Sequence, residues 1–108
     1  MNPELPPPID RFFRAHNTGH TEDFNALFTA DAIVSDEAHE YRGAAIKEWI
    51  DNAVEQYKPH AEVITLAPTG DKTIVTALIS GTFPGSPIQL RYQFTVEGEK
   101  IGALSIGV

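Results

Sequence analysis

Cysteine is absent from the 108 residues. That removes disulfide scaffolds, thiolate-bound zinc, iron–sulfur clusters and thiol nucleophiles together. Positive charge is scarce: 8 Lys and Arg stand against 15 Asp and Glu, a net charge of −7. No basic patch can dominate such a surface, so neither nucleic acid nor an anionic membrane is an expected partner. No run of about 18 apolar residues occurs, the length a membrane span requires. Met1-Asn2-Pro3-Glu4 opens the chain with an acidic residue and no apolar run, which is unlike a signal peptide, and the expected compartment is the cytoplasm. Phosphate-loop, Gly-x-Ser-x-Gly and His-Glu-x-x-His patterns are all missing, so neither a metal nor a cofactor is expected. Asp36-Glu37-Ala38-His39 spells a helicase motif, but that motif works only beside a phosphate loop, and a helicase core does not fit in this length.

What remains suits a small folded domain. Hydrophobic residues make up 42% of the chain, and at this length folding buries roughly 60–70% of the unfolded surface without a covalent staple. Residues 1–8 read as a proline-rich leader and 9–108 as one domain. Ile9, Phe12, Phe13 and His16 share a helical face, and Asn17-Thr18-Gly19 stops that helix. Thr21 then caps an expected second helix with Phe24, Leu27 and Phe28 on its apolar side. A short strand at 32–36 and a loop at 37–43 follow. The clearest helical stripe is Ile46, Trp49, Ile50, Ala53, Val54 and Tyr57, ended by Pro59. Strands at 60–67, 72–83, 87–96 and 100–107 are separated by hairpin-length turn signals. In the third of these, Ile88, Leu90, Tyr92, Phe94 and Val96 alternate with Gln89, Arg91, Gln93 and Thr95. The order α-α-β-α-β-β-β-β predicts an α+β domain, with three helices in the N-terminal half covering one face of an antiparallel meander.

Six ionisable groups crowd into residues 36–42: Asp36, Glu37, His39, Glu40, Tyr41 and Arg42. Carboxylate, imidazole and phenol are the usual tools of general acid–base chemistry, although most charge-rich loops are simply solvated. Asp36 differs from its neighbours because it continues the inward parity of Val34, where an unpaired carboxylate is costly. His16 lies on an apolar helix face and reads as a core or rim histidine or as a pocket group. Tyr92 stands in the inward row, either as a pocket donor or as a core phenol with a backbone partner.

Several short strings occur in a telling order: Asn17-x-Gly19, Leu27-Phe28-x-x-Asp31-Ala32 running into Val34-Ser35-Asp36, Arg42-Gly43 before Ile46-x-x-Trp49, and Phe83-Pro84-Gly85-Ser86-Pro87 before Tyr92-x-Phe94. With them the chain resembles the nuclear transport factor 2-like superfamily, and within it the SnoaL-like branch of polyketide cyclase and ketosteroid isomerase relatives. The resemblance implies a cystatin-like cone: a curved sheet wrapped around the helices, with an open-ended apolar pocket for a small hydrophobic ligand. It also implies either cofactor-free acid–base catalysis (cyclisation, isomerisation or dehydration of a carbonyl compound) or a non-catalytic binding module for a small molecule or peptide. Asp36 resembles the aspartate base of the ketosteroid isomerases. Their two oxyanion donors fall at Phe12 and near Leu90, where this chain has none. SnoaL-like cyclases pair a carboxylate with a histidine, roles that Asp36 and His39 would take. The pocket is then expected among Phe12, His16, Val34, Tyr41, Trp49, Leu90 and Tyr92. Homodimers through the outer sheet face are common in the superfamily, and the sparsely charged row Gln89, Arg91, Gln93 and Thr95 suits such a contact.

Overall fold

The structure, a computed structural model, describes residues 5–107. Six strands form one sheet: β1 (Phe28–Asp36), β2 (His39–Arg42), β3 (His60–Thr69), β4 (Lys72–Ser80), β5 (Ile88–Glu97) and β6 (Lys100–Gly107). Two α-helices accompany them, α1 (Pro7–Thr18) and α2 (Ala44–Tyr57). The domain is therefore α+β, as its patterning requires. β3 to β6 form the antiparallel meander, and the full strand order is β2-β1-β6-β5-β4-β3.

Five expectations need correction. Pro7 and Pro8 are not a leader but the first turn of α1, where a missing N–H costs nothing because that donor would be unpaired anyway; residues 1–4 of the expected leader lie outside the described residues. The second of the three expected helices is only a 3-10 turn, Phe24–Leu27. Phe28 is claimed by β1, so too few residues remain to offset helix nucleation. The Thr21 hydroxyl does not cap it; it donates to Asp51 on α2, which also accepts from Lys47 Nζ at 2.6 Å. Finally, residues 39–42 are a strand rather than a loop, and the sheet is not wholly antiparallel. β2 folds back on β1 through Glu37 and Ala38, both at positive φ, and β1 lies parallel to β6.

The helix ends follow from local chemistry. Gly19 takes a left-handed conformation at φ 77°, and its N–H closes α1 on the Ala15 carbonyl at 2.9 Å. Gly43 precedes α2 at φ 55°, ψ −129°, a backbone region that side chains resist. α2 then runs to Lys58, which sits in the left-handed region just before Pro59.

Both helices bury their stripes against one face of the sheet. Ile9, Phe12 and Phe13 of α1 and Ile46 and Ile50 of α2 join Val75, Ala77, Tyr92, Phe94 and Leu104 in a single core. The inward parity of β5 holds through this region, with Tyr92 and Phe94 buried and Arg91 exposed. Phe12 is fully buried and packs against Phe13, His16, Phe24, Trp49, Tyr92 and Phe94. Among the described residues no helix is long and apolar enough to cross a membrane.

Removing the Phe12 ring would leave a cavity bounded by both helices and the sheet. Phe12→Ala is expected to cost about 3–5 kcal/mol. On the uncovered face, Arg91→Ala is expected to stay within about 0.5 kcal/mol. Paired urea denaturation curves check both values.

Candidate functional site

The helices do not cover the whole inner face of the sheet. Between α2, the β1–β2 hairpin and the inner rows of β4 and β5 lies a cavity of about 860 Å³, a size suited to a small organic molecule. Its walls are mainly apolar and aromatic. Trp49 and Tyr57 come from α2, Leu90 and Tyr92 from β5, and Phe83 from the β4–β5 connection. Tyr57 and Phe83 meet edge to face at 5.7 Å, and Tyr41 lies against Trp49 at 6.0 Å.

Asp36 reaches this cavity because it ends β1 two residues after the fully buried Val34, on the same face. Trp49 Nε1 donates to Asp36 Oδ2 at 3.0 Å. Trp49 is itself positioned by stacking on Phe12, ring centres 6.4 Å apart and 23° between planes. The carboxylate is therefore held by a neutral donor. None of the chain's Lys or Arg residues lines the cavity, whereas Glu37 and Glu48 do.

Tyr92 is 3% exposed and lines the same cavity. Among the described residues its hydroxyl has no hydrogen-bond partner, yet every fully buried side-chain polar atom there does have one. The phenol oxygen must therefore open onto the cavity. Burial first, and the Asp36 carboxylate second, push its pKa above the ordinary phenol range. Tyr92 consequently remains an O–H donor at any physiological pH.

His16 comes from α1. Its Nδ1 lies 2.9 Å from Asn17 Oδ1. Burial lowers its pKa, the hydrogen bond to Asn17 opposes that, and the nearby His60 adds to the lowering. The ring is thus held neutral near pH 7.

The geometry sorts the residues expected at the site. Asp36, His16, Tyr41, Trp49, Leu90 and Tyr92 line one cavity. Phe12 and Val34, expected on the lining, are fully buried beneath it instead. His39 does not join Asp36: it faces Asp36 across the hairpin but is exposed, and no hydrogen bond or ion pair links the two among the described residues. The two-residue turn brings the backbones together and sends the imidazole to solvent. Phe83 and Asn17 were not anticipated. Phe83 read as the last residue of a strand at 72–83, whereas β4 ends at Ser80, and the role of Asn17 depends on Ala61, 44 residues away.

The SnoaL-like domain family model matches residues 9–102. Among solved structures, a candidate polyketide cyclase from Sinorhizobium meliloti is 36% identical over 95% of this chain and 95% of its own, with a TM-score of 0.90. A protein of ketosteroid isomerase-like fold from Catenulispora acidiphila, solved with trimethylamine, is 19% identical over 100% of this chain and 87% of its own, TM-score 0.81. A cystatin-fold protein from Novosphingobium aromaticivorans is 16% identical over 94% and 95%, TM-score 0.76. These last two likenesses are of fold. No curated protein matches this sequence.

The depressed pKa of His16 has a consequence for stability. The unfolded chain binds this proton near the ordinary histidine value of 6.5, while the folded chain binds it only at lower pH. The His16 contribution is therefore complete above 6.5 and is lost as pH falls through the folded value. Thermal melts across pH 7.5 to 5 are expected to show this loss, and His16→Phe is expected to flatten that part of the profile.

Proposed function

The chain belongs to the SnoaL-like domain family, and we propose that its cavity binds a small apolar carbonyl compound on which Asp36 performs cofactor-free proton transfer. The observation that carries this reading is a carboxylate with one oxygen held by Trp49 Nε1, on a cavity whose walls are mainly apolar and aromatic. A carboxylate held in place by one hydrogen bond keeps its other oxygen free to take a proton from a bound molecule.

The step follows from the groups present. Asp36 takes a proton from the carbon beside the substrate carbonyl. The electron pair of that C–H bond moves into the new carbon–carbon double bond, and the carbonyl π electrons move onto oxygen. The Tyr92 hydroxyl donates a hydrogen bond to that oxygen, where negative charge develops. The resulting enolate then has three outcomes of equal proton balance. Return of the proton at another carbon isomerises the substrate, attack on a second carbonyl cyclises it, and loss of a β-hydroxyl with the proton supplied by Asp36 dehydrates it.

A second reading, a binding module using the same cavity, is favoured by one observation. By the resemblance, the two oxyanion-donor positions of the ketosteroid isomerases fall at Phe12 and near Leu90, and neither Phe12 nor Leu90 has a side-chain donor. The two readings differ in one measurable event. With a panel of small aryl ketones in D₂O, proton-transfer chemistry is expected to place deuterium at the carbon beside the carbonyl, and Asp36→Asn to slow this by about 10²–10⁴. Ketones that bind without exchange would support the binding module.

We also propose a homodimer through the outer sheet face. Ile33, Thr76, Leu78, Gln93 and Thr95 are all half-buried there with no helix covering them, and a broad face with few charges suits a symmetric contact. Light scattering at micromolar concentration is expected to give twice the chain mass, and Leu78→Asp the single mass. A single mass for the unaltered protein would refute the dimer.

A further inference from the structure

We propose that His16 is a ligand-facing hydrogen-bond acceptor, locked in one tautomer by Asn17, and that it restricts the cavity to apolar molecules presenting an O–H or N–H donor and carrying no negative charge. This rests on the reading of the cavity as the ligand site and adds a selection rule to it.

The lock is a matter of donor and acceptor counting. The Ala61 N–H donates to Asn17 Oδ1 at 2.7 Å, and Asn17 Nδ2 donates to the Ala61 carbonyl at 3.0 Å. One peptide group on β3 thereby sets which end of the Asn17 amide is oxygen. That oxygen also lies 2.9 Å from His16 Nδ1. A carboxamide oxygen only accepts, so Nδ1 must carry the hydrogen. In a neutral ring, Nε2 is then a bare lone pair.

Nε2 opens onto the cavity. His16 is 7% exposed and lines the cavity wall. Among the described residues Nε2 has no hydrogen-bond partner, whereas every fully buried side-chain polar atom there has one, so Nε2 keeps some exposed surface. Stacking on Phe12, with centres 6.3 Å apart, fixes the ring plane. The same Phe12 ring lies against Trp49 and Tyr92, so His16, Tyr92 and the Asp36–Trp49 pair all stand around one buried side chain.

Of the polar groups gathered around Phe12, His16 Nε2 and the Asp36 carboxylate are acceptors and the Tyr92 hydroxyl can donate or accept, while Tyr41, Asn52, Gln56 and Tyr57 add neutral polar groups elsewhere on the lining. Glu37 and Glu48 add negative charge, and no Lys or Arg offsets it. An anionic ligand meets repulsion with no cation to receive it. A ligand with a polar hydrogen satisfies Nε2, whereas one lacking that hydrogen leaves the lone pair dry and unpaired, which is unfavourable. His60, whose charge also acts on His16, is exposed and lies outside the lining.

The test uses four probes of one shape on the intact protein: benzyl alcohol, benzylammonium, benzyl methyl ether and benzoate. Binding is followed by NMR titration, together with the ¹⁵N resonances of His16. The alcohol and the ammonium are expected to bind at least tenfold more tightly than the ether, and benzoate most weakly. Comparing the alcohol with the ammonium tells which donor, O–H or N–H, the site prefers. His16→Phe, which keeps the stacked ring, is expected to erase the difference between alcohol and ether. The free protein is expected to show Nδ1 protonated and Nε2 bare, and Asn17→Ala to yield a mixture of tautomers. Equal binding of alcohol and ether, or a proton on Nε2 in the free protein, would overturn the role of His16 while leaving the cavity as the ligand site. If none of the four probes perturbs the cavity resonances, the reading of the cavity itself is overturned.

Discussion

The site depends on the burial of one ring. Phe12 is completely enclosed, and three cavity groups rest on it: His16 from its own helix, Trp49 from α2 and Tyr92 from β5. Hydrophobic burial is non-directional, but aromatic rings in contact adopt a few preferred orientations. A ring at this crossing therefore does more than fill volume. It fixes the planes of an imidazole, an indole and a phenol that come from three separate elements, and through the indole N–H it also fixes the carboxylate of Asp36.

The electrostatics of the cavity follow from what holds each polar group. Asp36 is met by an indole N–H rather than a cation, so its charge is oriented but not neutralised, and Tyr92 registers that charge in its raised pKa. His16 is met by a carboxamide whose direction is dictated by the Ala61 peptide. In each case a neutral hydrogen bond spends one atom of the side chain and leaves the other available: Oδ1 of Asp36 and Nε2 of His16. Neutral clamps of this kind keep chemical groups usable inside an apolar wall, where an ion pair would have consumed them.

Much of the architecture could be read along the chain wherever one element carries its own pattern. The stripe from Ile46 to Tyr57 is α2, and the alternation from Ile88 to Val96 is β5 with its inner and outer faces as anticipated. The failures cluster where a contact distant in sequence decides. Glu37 and Ala38 form a two-residue turn at positive φ without the Asn-Gly pair that normally announces one, so β2 was hidden in an apparent loop. Phe24 to Phe28 has helical spacing, but pairing of Phe28 with Ile101 on β6 draws it into a strand. A nearest-neighbour pattern carries no information about such a partner.

The same division runs through the site. By itself, the order of residues determined an acidic, cysteine-free α+β domain with an inward-facing Asp36, because alternation along a strand is a local property of the backbone. It also determined that Tyr92 and Phe94 face inward, for the same reason. Only the tertiary structure decided that His39 turns to solvent while His16 reaches the cavity. Only the folded chain could decide, too, that Phe12 and Val34 lie beneath the lining and that Asn17 points its oxygen at the imidazole. The reason is physical. Hydrogen-bond partners and solvent access are set by elements brought together from far apart, here α1 against β3 and α2 against the end of β1, and no local pattern encodes which side chain that packing leaves facing a void.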